Sequence, residues 1–445
     1  MTHQLPHGPS VRLVLCLQFW FLAPAAMWAA EQPNILILFT DDQGYADLAC
    51  YGNLLNKTPR LDQLAATGTR FTSFYAQTVC GPSRSALLTG RYPLRSKGWS
   101  MPAAEITFAE LLRQSGYQTA CIGKWDVSNR KPILNRMPNA QGFDYYFGPL
   151  GANDGGQVTF HENQEPAGSS TQMGELITRY TNQSISYLRE KRDPEKPFLL
   201  YLAHTMMHTI INASDRFRGK SAGGLYGDVV EEFDYETGRL LDTLDELGLR
   251  KNTLVIYTSD NGPWNQRKYT TRKQGHPKDS VFWGQAGPLR NGKGSPYEGG
   301  YRLPCIVRWP GKVPAGRISD AVFATIDLLP TFATLCGFEI PTDRRMDGID
   351  QTELLLGQRE TGRDTFYFDR AGVRQGKWKY LKAQPFFYNY AIEDNRPLVE
   401  ELYDLESDLG EQTNLAAKFP EKVVALRALM QSIEGHQQHP QQPQK

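Results

Sequence analysis

Residues 78–93, TVCGPSRSALLTGRYP, set one cysteine, Cys80, ahead of Gly81-Pro82 and an apolar run. Ser83 is the expected N-cap, with Ser85-Ala86-Leu87-Leu88 carrying helical turns as far as Gly90. That puts Cys80 at the positive end of a short helix beside Arg84, a setting for a nucleophile or an anion site. Two oxygen-rich pairs follow apolar runs: Asp41-Asp42 after NILILF and Asp260-Asn261 after TLVIY. Carboxylate and amide oxygens in this combination suit Ca2+ or Mg2+. Either pair alone reads equally well as a turn cap; two at equivalent strand ends favour a metal. The ends of other apolar runs are cationic. TACIGKWD delivers Lys124, PFLLYLAHTMMH delivers His204 and His208, and PLRNGKGSPYEGG carries Lys293. With Arg84 they form a set suited to a tetrahedral oxyanion beside a divalent cation. His208 is preferred to His204 because it lies beyond the strand, where a loop can face a site. His161, His276 and His436 read as ordinary surface or satisfied polar groups.

These residues need a sheet to bring them together. In an open α/β sheet, ligands gather at the carboxyl ends of the strands. Strands are expected at 34–39, 119–122, 197–203, 253–257 and 305–309. Between them, helices are expected at 58–68, 107–116, 177–190 and 226–249, the last with Val229, Phe233, Leu240, Leu244 and Leu247 on one face. Continuous apolar strands alternating with amphipathic helices predict an α/β fold: a large, mostly parallel sheet sandwiched by helices. After Gly337 the texture changes to short antiparallel strands and a helix at about 420–434, a smaller C-terminal domain. The expected organisation is a leader over 1–30, a catalytic α/β domain over 31–337, a C-terminal subdomain over 338–435 and a disordered tail over 436–445.

The 445 residues carry 49 basic and 48 acidic side chains, a net charge of +1. Such balance argues against general binding to nucleic acid or a membrane surface, so an anion site must be local. Arg12 followed by LVLCLQFWFLAPAAMWAA reads as a secretory signal peptide cleaved near Ala29 or Ala30, not a stable membrane span. The expected location is therefore the periplasm or the exterior of a cell. Cys50, Cys121, Cys305 and Cys336 are scattered and read as small buried hydrophobes; a disulfide among them remains open. Asn182 and Asn212 stand in glycosylation sequons, which matter only in a eukaryotic secretory route.

The Cys80-Gly81-Pro82-Ser83-Arg84 run, with Leu88-Thr89-Gly90-Arg91, resembles the C-x-P-S-R signature of the formylglycine-dependent sulfatases. PNILILFTDDQGYADLACYGN, IGKW, QGFDYYFG, TLVIYTSDNGP, GKGSPYEGGYRLPCIVRWPGKVPAG, VRQGKWKYL and ELYDLESDLGEQTNLA extend the resemblance over roughly residues 33–435. It implies that a formylglycine-generating enzyme oxidises Cys80 to an aldehyde, whose hydrate offers two hydroxyls on one carbon. One attacks sulfur; loss of a proton from the other expels sulfate. The family further implies Ca2+ held by Asp41, Asp42, Asp260 and Asn261, with modified Cys80 touching the ion. Arg84 would hold the nucleophilic hydroxyl and Asp260 accept a proton. Lys124 and Lys293 would bind sulfate, and His208 would protonate the departing alcohol. One position departs from the pattern: many sulfatases read Gly-Lys-Trp-His where this chain has Asp126. A carboxylate there can serve as base or orienter in the elimination step, provided Lys124 or Arg130 screens it.

The expected activity is hydrolysis of a sulfate ester, with a sulfated carbohydrate as substrate. The alternatives are a phosphodiesterase or phosphonate monoester hydrolase of the same wider fold and a non-catalytic carbohydrate-binding relative. Unmodified Cys80 beside Arg84 has a setting that can favour a reactive thiolate, but no convincing Cys-His-Asp protease order surrounds it. Stretches 150–166, 265–284 and 383–397 are candidate pocket loops, the second basic and aromatic with Arg267, Lys268, Arg272, Lys273 and Trp283. That composition also suits an exposed loop with solvated charges.

Overall fold

Strand β1 (Asn34–Thr40) is the hinge of the architecture: all seven residues are buried, and it pairs in parallel with a strand on each side. Successive side chains on a strand point to opposite faces. Ile35, Ile37 and Phe39 accordingly enter one core and Leu36 and Leu38 the other. A strand buried on both faces reads as an unbroken apolar run, which NILILF is. The computed structural model describes residues 1–2, 32–264, 284–385 and 398–435. The expected leader falls almost wholly outside these residues, and the expected tail and most of loops 265–284 and 383–397 do as well.

The remaining strands of the large sheet are β2 (Thr69–Tyr75), β3 (Gln118–Gly123), β4 (Tyr145–Gly148), β5 (Val158–Glu162), β6 (Glu165–Ser170), β7 (Phe198–Ala203), β8 (Thr253–Ser259), β9 (Arg302–Arg308), β10 (Arg317–Ser319) and β11 (Phe323–Ala324). Their order is β10-β2-β9-β8-β1-β7-β3-β4-β5-β6, with β11 also on β2. The centre, β8-β1-β7-β3-β4, is parallel. Strand β9 departs from the parallel expectation for 305–309: it runs antiparallel to both β8 and β2. Its buried sequence RLPCIVR is as apolar as a parallel strand's, because burial and not direction sets that pattern.

Helices α1 (Pro59–Ala66), α2 (Cys80–Thr89), α3 (Phe108–Gln114), α4 (Leu176–Ser186), α5 (Gly224–Glu246) and α6 (Leu328–Cys336) cover the sheet. The α3 start is a capping box: Thr107 Oγ1 accepts from Glu110 N at 3.1 Å and Glu110 Oε2 from Thr107 N at 2.9 Å. On α5, Val229, Phe233, Leu240 and Leu244 are buried, while Leu247 is half-buried at the helix end. Strands β12 (Thr365–Phe368), β13 (Gly372–Gln375), β14 (Trp378–Leu381) and β15 (Glu401–Asp404) form an antiparallel meander. Helix α7 (Pro420–Gly435) packs on β13 and β14. The described residues from Gln32 to Gly435 make one compact unit, so the meander is built onto the large sheet. Cys50, Cys80, Cys121, Cys305 and Cys336 are free thiols, all buried except half-buried Cys50. Among the described residues, no helix is long and apolar enough to cross a membrane.

Candidate active site

The register of the central strands places the acidic pairs side by side. Thr40 pairs with Ser259, so Asp41-Asp42 and Asp260-Asn261 leave the sheet at adjacent carboxyl ends. Asp42 turns the chain at φ 57°, and its N–H donates to Asp260 Oδ1 at 3.2 Å. One strand further across, Gly123 pairs with Ala203, bringing Lys124 and His204 to the same edge. Gly123 has φ 109°, and a Cβ there would lie 1.9 Å from the Ala203 carbonyl oxygen, so only glycine fits.

Helix α2 starts four residues earlier than expected. Val79, with extended backbone, is the N-cap and contributes no side-chain cap; Ser83 lies inside the helix. Pro82 then occupies the first turn, where its missing N–H leaves no bond unmade. Instead of capping, Ser83 Oγ accepts from Gln77 N at 2.8 Å and contacts the Asp260 backbone carbonyl, tying α2 to the end of β8. Cys80 therefore sits at the first residue of α2, against the acidic pairs. The next residue, Gly81, carries the indole of Trp99: a Cβ would fall 2.3 Å from Trp99 Cδ1.

Side chains from six segments converge here. Cys80 Sγ lies 3.2 Å from Asp41 Oδ1, 3.9 Å from Asp42 Oδ1 and 3.4 Å from Lys293 Nζ. Lys124 Nζ is 2.6 Å from Asp41 Oδ2, and Lys293 Nζ is 2.6 Å from Asp42 Oδ1. Arg84 donates to Asp260 Oδ2 through Nη2 at 2.9 Å and Nε at 3.2 Å, and its Nη2 is 3.4 Å from Asp41 Oδ2. His208 Nε2 lies 3.7 Å from Asp42 Oδ2 and 3.4 Å from Asp154 Oδ1. Its Nδ1 is 2.5 Å from the Thr209 carbonyl, an acceptor only, which assigns a proton to Nδ1. Asp126, at φ 61°, accepts from Arg130 Nε at 2.7 Å and Trp99 Nε1 at 3.1 Å and lies 3.5 Å from Lys124 Nζ. All ten residues singled out for chemistry thus meet in one cluster.

Electrostatics here are set by burial and these pairs. Burial works to raise the Asp41 carboxyl, but Lys124, then His208, Arg84 and Lys293, hold it well below the usual carboxylate range. Burial lowers Lys124, yet Asp126 and Asp41 outweigh it and keep the ammonium charged. Burial and then Lys293 lower His208 against the pull of Asp42, Asp41 and Asp154. For Cys80, burial, Asp260 and Asp41 push the thiol well above its ordinary value. This corrects the reading of a reactive thiolate: burial, then Asp260 and Asp41, outweigh Lys124 and Lys293, and Arg84 is paired with Asp260. Burial drives His204 down to about 3, and its ring is wedged edge-on between Tyr180 and Phe233. It is a core histidine.

The donor set fits a hard divalent cation. Asp41, Asp42, Cys80 and His208 offer ligand atoms within 4.8 Å of one another. Asn261 strengthens the fit: its Nδ2 donates to Asp42 Oδ1 at 2.7 Å, while its buried Oδ1 has no hydrogen-bond partner. A buried acceptor without a donor is costly, and a cation satisfies it.

Three residues at the site were not singled out in the sequence, and a fourth, Arg130, was named only as a screen for Asp126, which it meets at 2.7 Å. Two are Trp99, the indole donor to Asp126, and Asp154, the carboxylate beside His208. Trp264 faces the His208 ring at 5.7 Å and lies beneath Lys293 Nζ at 4.8 Å. Arg130 joins Asp126 to Asp154, 2.8 Å from Nη1 to Asp154 Oδ2. Only Asp154 comes from a stretch expected to line a pocket. A cavity of about 650 Å³ opens elsewhere, along α4, lined by Phe147, Gln172, Glu175, Thr178, Arg179 and Arg218, and contains none of the cluster.

The sulfatase family model matches residues 33–338, more than half the chain, and an N-sulphoglucosamine sulphohydrolase C-terminal model matches 292–438. The chain belongs to the sulfatase family. N-acetylgalactosamine-6-sulfatase of Canis lupus familiaris is 34% identical over 391 residues, covering 80% of this sulfatase and 72% of the relative. Arylsulfatase A of Homo sapiens is 33% identical over 464 residues, covering 91% and 88%. A solved structure of a Bacteroides thetaiotaomicron protein of glycosaminoglycan metabolism, designated 6S-sulf, superposes with a TM-score of 0.79 at 29% identity. It covers 92% of this chain and is itself covered completely. A phosphonate monoester hydrolase from Silicibacter pomeroyi shares the fold at 17% identity and TM-score 0.66. The sulfatase is thus an enzyme of sulfate-ester hydrolysis on a fold that other hydrolases also use.

Proposed function

We propose that this sulfatase cleaves an oxygen-linked sulfate ester of a glycan, using a formylglycine made from Cys80 and a Ca2+ ion. The observation that carries the reading is the convergence of Cys80 with three carboxylates, the unsatisfied Asn261 oxygen and three buried cations at one sheet edge. Its glycan component rests on the saccharide sulfatases among the relatives, with a hexosamine 6-sulfate the first candidate.

Asp41, Asp42, Asp260 and Asn261 would hold the ion, which would polarise the sulfate oxygens and lower the pKa of the attacking hydroxyl. Conversion of Cys80 by a formylglycine-generating enzyme would supply a hydrated aldehyde as an oxygen nucleophile. The thiol itself, held protonated against Asp41, is poorly suited to that role. Arg84 is clamped by Asp260 in position to orient the nucleophilic hydroxyl. Lys124 and Lys293 offer fixed positive charge to the sulfate and to the bridging oxygen as negative charge builds there. His208, with Nδ1 fixed on Thr209, directs Nε2 at the cluster; Asp42 and Asp154 beside Nε2 oppose the burial and Lys293 that lower it, and a proton carried there would pass to the leaving alcohol. Asp126, between Lys124, Arg130 and Trp99, occupies the position of the family's usual histidine and takes a proton or orients Lys124 during sulfate release. We further propose that residues 1–30 direct export and are removed, and that 31–337 and 338–435 act as catalytic and supporting parts.

The test is sulfate release from a panel of hexosamine 6-, 4- and N-sulfates, with matching phosphate esters. Release of sulfate with little release of phosphate supports the reading. Preferential phosphate release by converted, Ca2+-loaded enzyme would replace it with a phosphohydrolase.

A further inference from the structure

The geometry points to Arg130 and Asp154 as the subsite for the sugar ring that carries the scissile sulfate, built for its neutral hydroxyls. This rests on the sulfatase reading of the site.

The two residues close an arc between the groups that must meet the leaving oxygen. Lys124 Nζ lies 3.5 Å from Asp126 Oδ2, and Asp126 Oδ1 accepts from Arg130 Nε at 2.7 Å. Arg130 Nη1 donates to Asp154 Oδ2 at 2.8 Å, and Asp154 Oδ1 stands 3.4 Å from His208 Nε2. The side chains of Asp41, Asp42, Arg84, Lys124, Asp126, Asp260, Lys293 and His208 are all nearly inaccessible. By contrast, the Arg130 and Asp154 side chains are 40% and 45% exposed. Along this arc the cluster therefore meets solvent at Arg130 and Asp154. An ester oxygen within reach of both Lys124 and His208 has its carbon skeleton directed outward, over this pair.

The arc is preorganised. Arg130 adopts φ 58°, and Asp126 and Asn129 adopt φ 61° and 55°, an uncommon concentration of left-handed residues in five positions. The Arg130 stem lies on Gly151: a Cβ there would be 3.1 Å from Arg130 Cδ. Asn153 Nδ2 donates to the His208 and Ile210 carbonyls at 3.0 and 2.8 Å, fixing the Asp154 loop to the His208 segment. Groups held this way lose little freedom when a ligand binds.

Their chemistry selects a ligand. Among the described residues, Arg130 Nη2 makes no hydrogen bond, so it can donate, and Asp154 Oδ1 can accept. A donor beside an acceptor matches two neighbouring ring hydroxyls. Charge is balanced along the arc, Lys124 and Arg130 alternating with Asp126 and Asp154, so the pair suits neutral hydroxyls that bring no charge of their own.

The experiment compares kcat/KM for two primary-alkyl sulfates, a hexosamine 6-sulfate and cyclohexylmethyl sulfate, which lacks the ring hydroxyls. Both release an alkyl alcohol, so a general disturbance of His208 affects them alike and their ratio isolates the ring contacts. Asp154→Asn and Arg130→Ala are expected to lower this ratio about 10- to 100-fold, the range of a lost charged hydrogen bond. Arg130→Lys, which keeps charge but not the two-pronged geometry, should fall between them and the wild type. Unchanged ratios in folded variants would overturn the subsite while leaving the sulfatase reading intact. If converted wild-type enzyme released sulfate from neither ester, the alkyl-sulfatase reading would fail and the subsite with it.

Discussion

Two clusters of buried charge in this molecule look alike in composition and differ in what they leave undone. The second lies where the meander meets the large sheet. Lys379 on β14 bridges Glu298 Oε1 at 2.9 Å and Glu411 Oε1 at 2.8 Å. Tyr75 donates to Glu298 Oε2 at 2.5 Å, and Arg374 donates to Tyr75 at 2.5 Å. Glu411 Oε2 accepts from Glu298 N at 2.7 Å. Each carboxylate there is paired with a cation, Glu411 Oε1 meeting Lys379 as an ion pair without a hydrogen bond, and the cluster serves to join β2, β14 and the segment after β15. At the strand ends around Cys80, ion pairs are equally short, yet Asn261 Oδ1 is unsatisfied and a thiol sits among carboxylates. Burying ions is thus not in itself a mark of catalysis. Unsatisfied oxygens beside a modifiable residue are a better one.

That contrast can be broken by substitutions that trade activity against stability. Cys80→Ala should lower sulfatase turnover at least about 1000-fold with little change in melting temperature, because it removes the nucleophile and not a structural pair. Equal loss of activity and stability would make the two clusters the same kind of object. Lys379→Met should do the reverse. It leaves two carboxylates facing each other in the core, costing about 3–5 kcal/mol, read as a lower denaturation midpoint, while turnover per folded molecule persists. Asp126→Asn should reduce kcat about 10- to 100-fold on alkyl esters. Unaltered kcat there would rule out a role in sulfate release.

The smallest expected effect is a pH dependence of the junction. Burial raises Glu411 from 4.5 to about 7, against the pull of Lys379. Glu298 is opposed by burial but held at about 2 by Lys379, Arg302 and Arg374. A carboxyl raised in the folded state keeps a proton that the unfolded chain releases, so its share of stability falls as pH rises from about 4.5 to about 7. The Glu298 contribution is lost only on acidification below about 4.5 and stays constant in that window. Glu411→Gln should therefore flatten the decline in stability between pH 5 and 7.5 by on the order of 2 kcal/mol. Parallel melting curves for variant and wild type across that window would contradict the assignment.

Much of the active cluster was legible because strand ends announce themselves: where an apolar run stops, the next residues must lie at the sheet edge. Asp41, Asp42, Lys124, His208, Asp260 and Asn261 obey that rule. Arg130, Asp154, Trp99 and Trp264 do not, since they reach the site through irregular segments whose course no periodicity encodes. Trp99 in particular is placed by the absent side chain of Gly81, a contact visible only in three dimensions. The direction of β9 was hidden because a strand buried on both faces has one composition whichever way it runs. The α2 start differs from the expected cap at Ser83 because that hydroxyl serves Gln77 and the β8 end, a tertiary use that competes with capping.

The central claim, that Cys80 is the precursor of the nucleophile, is tested most directly by the mass of the proteolytic peptide containing it. The protein would be produced alongside a formylglycine-generating enzyme. The account predicts a peptide that has lost one sulfur and two hydrogens and gained one oxygen. An intact thiol at Cys80, in cells that convert a control sulfatase, would contradict it.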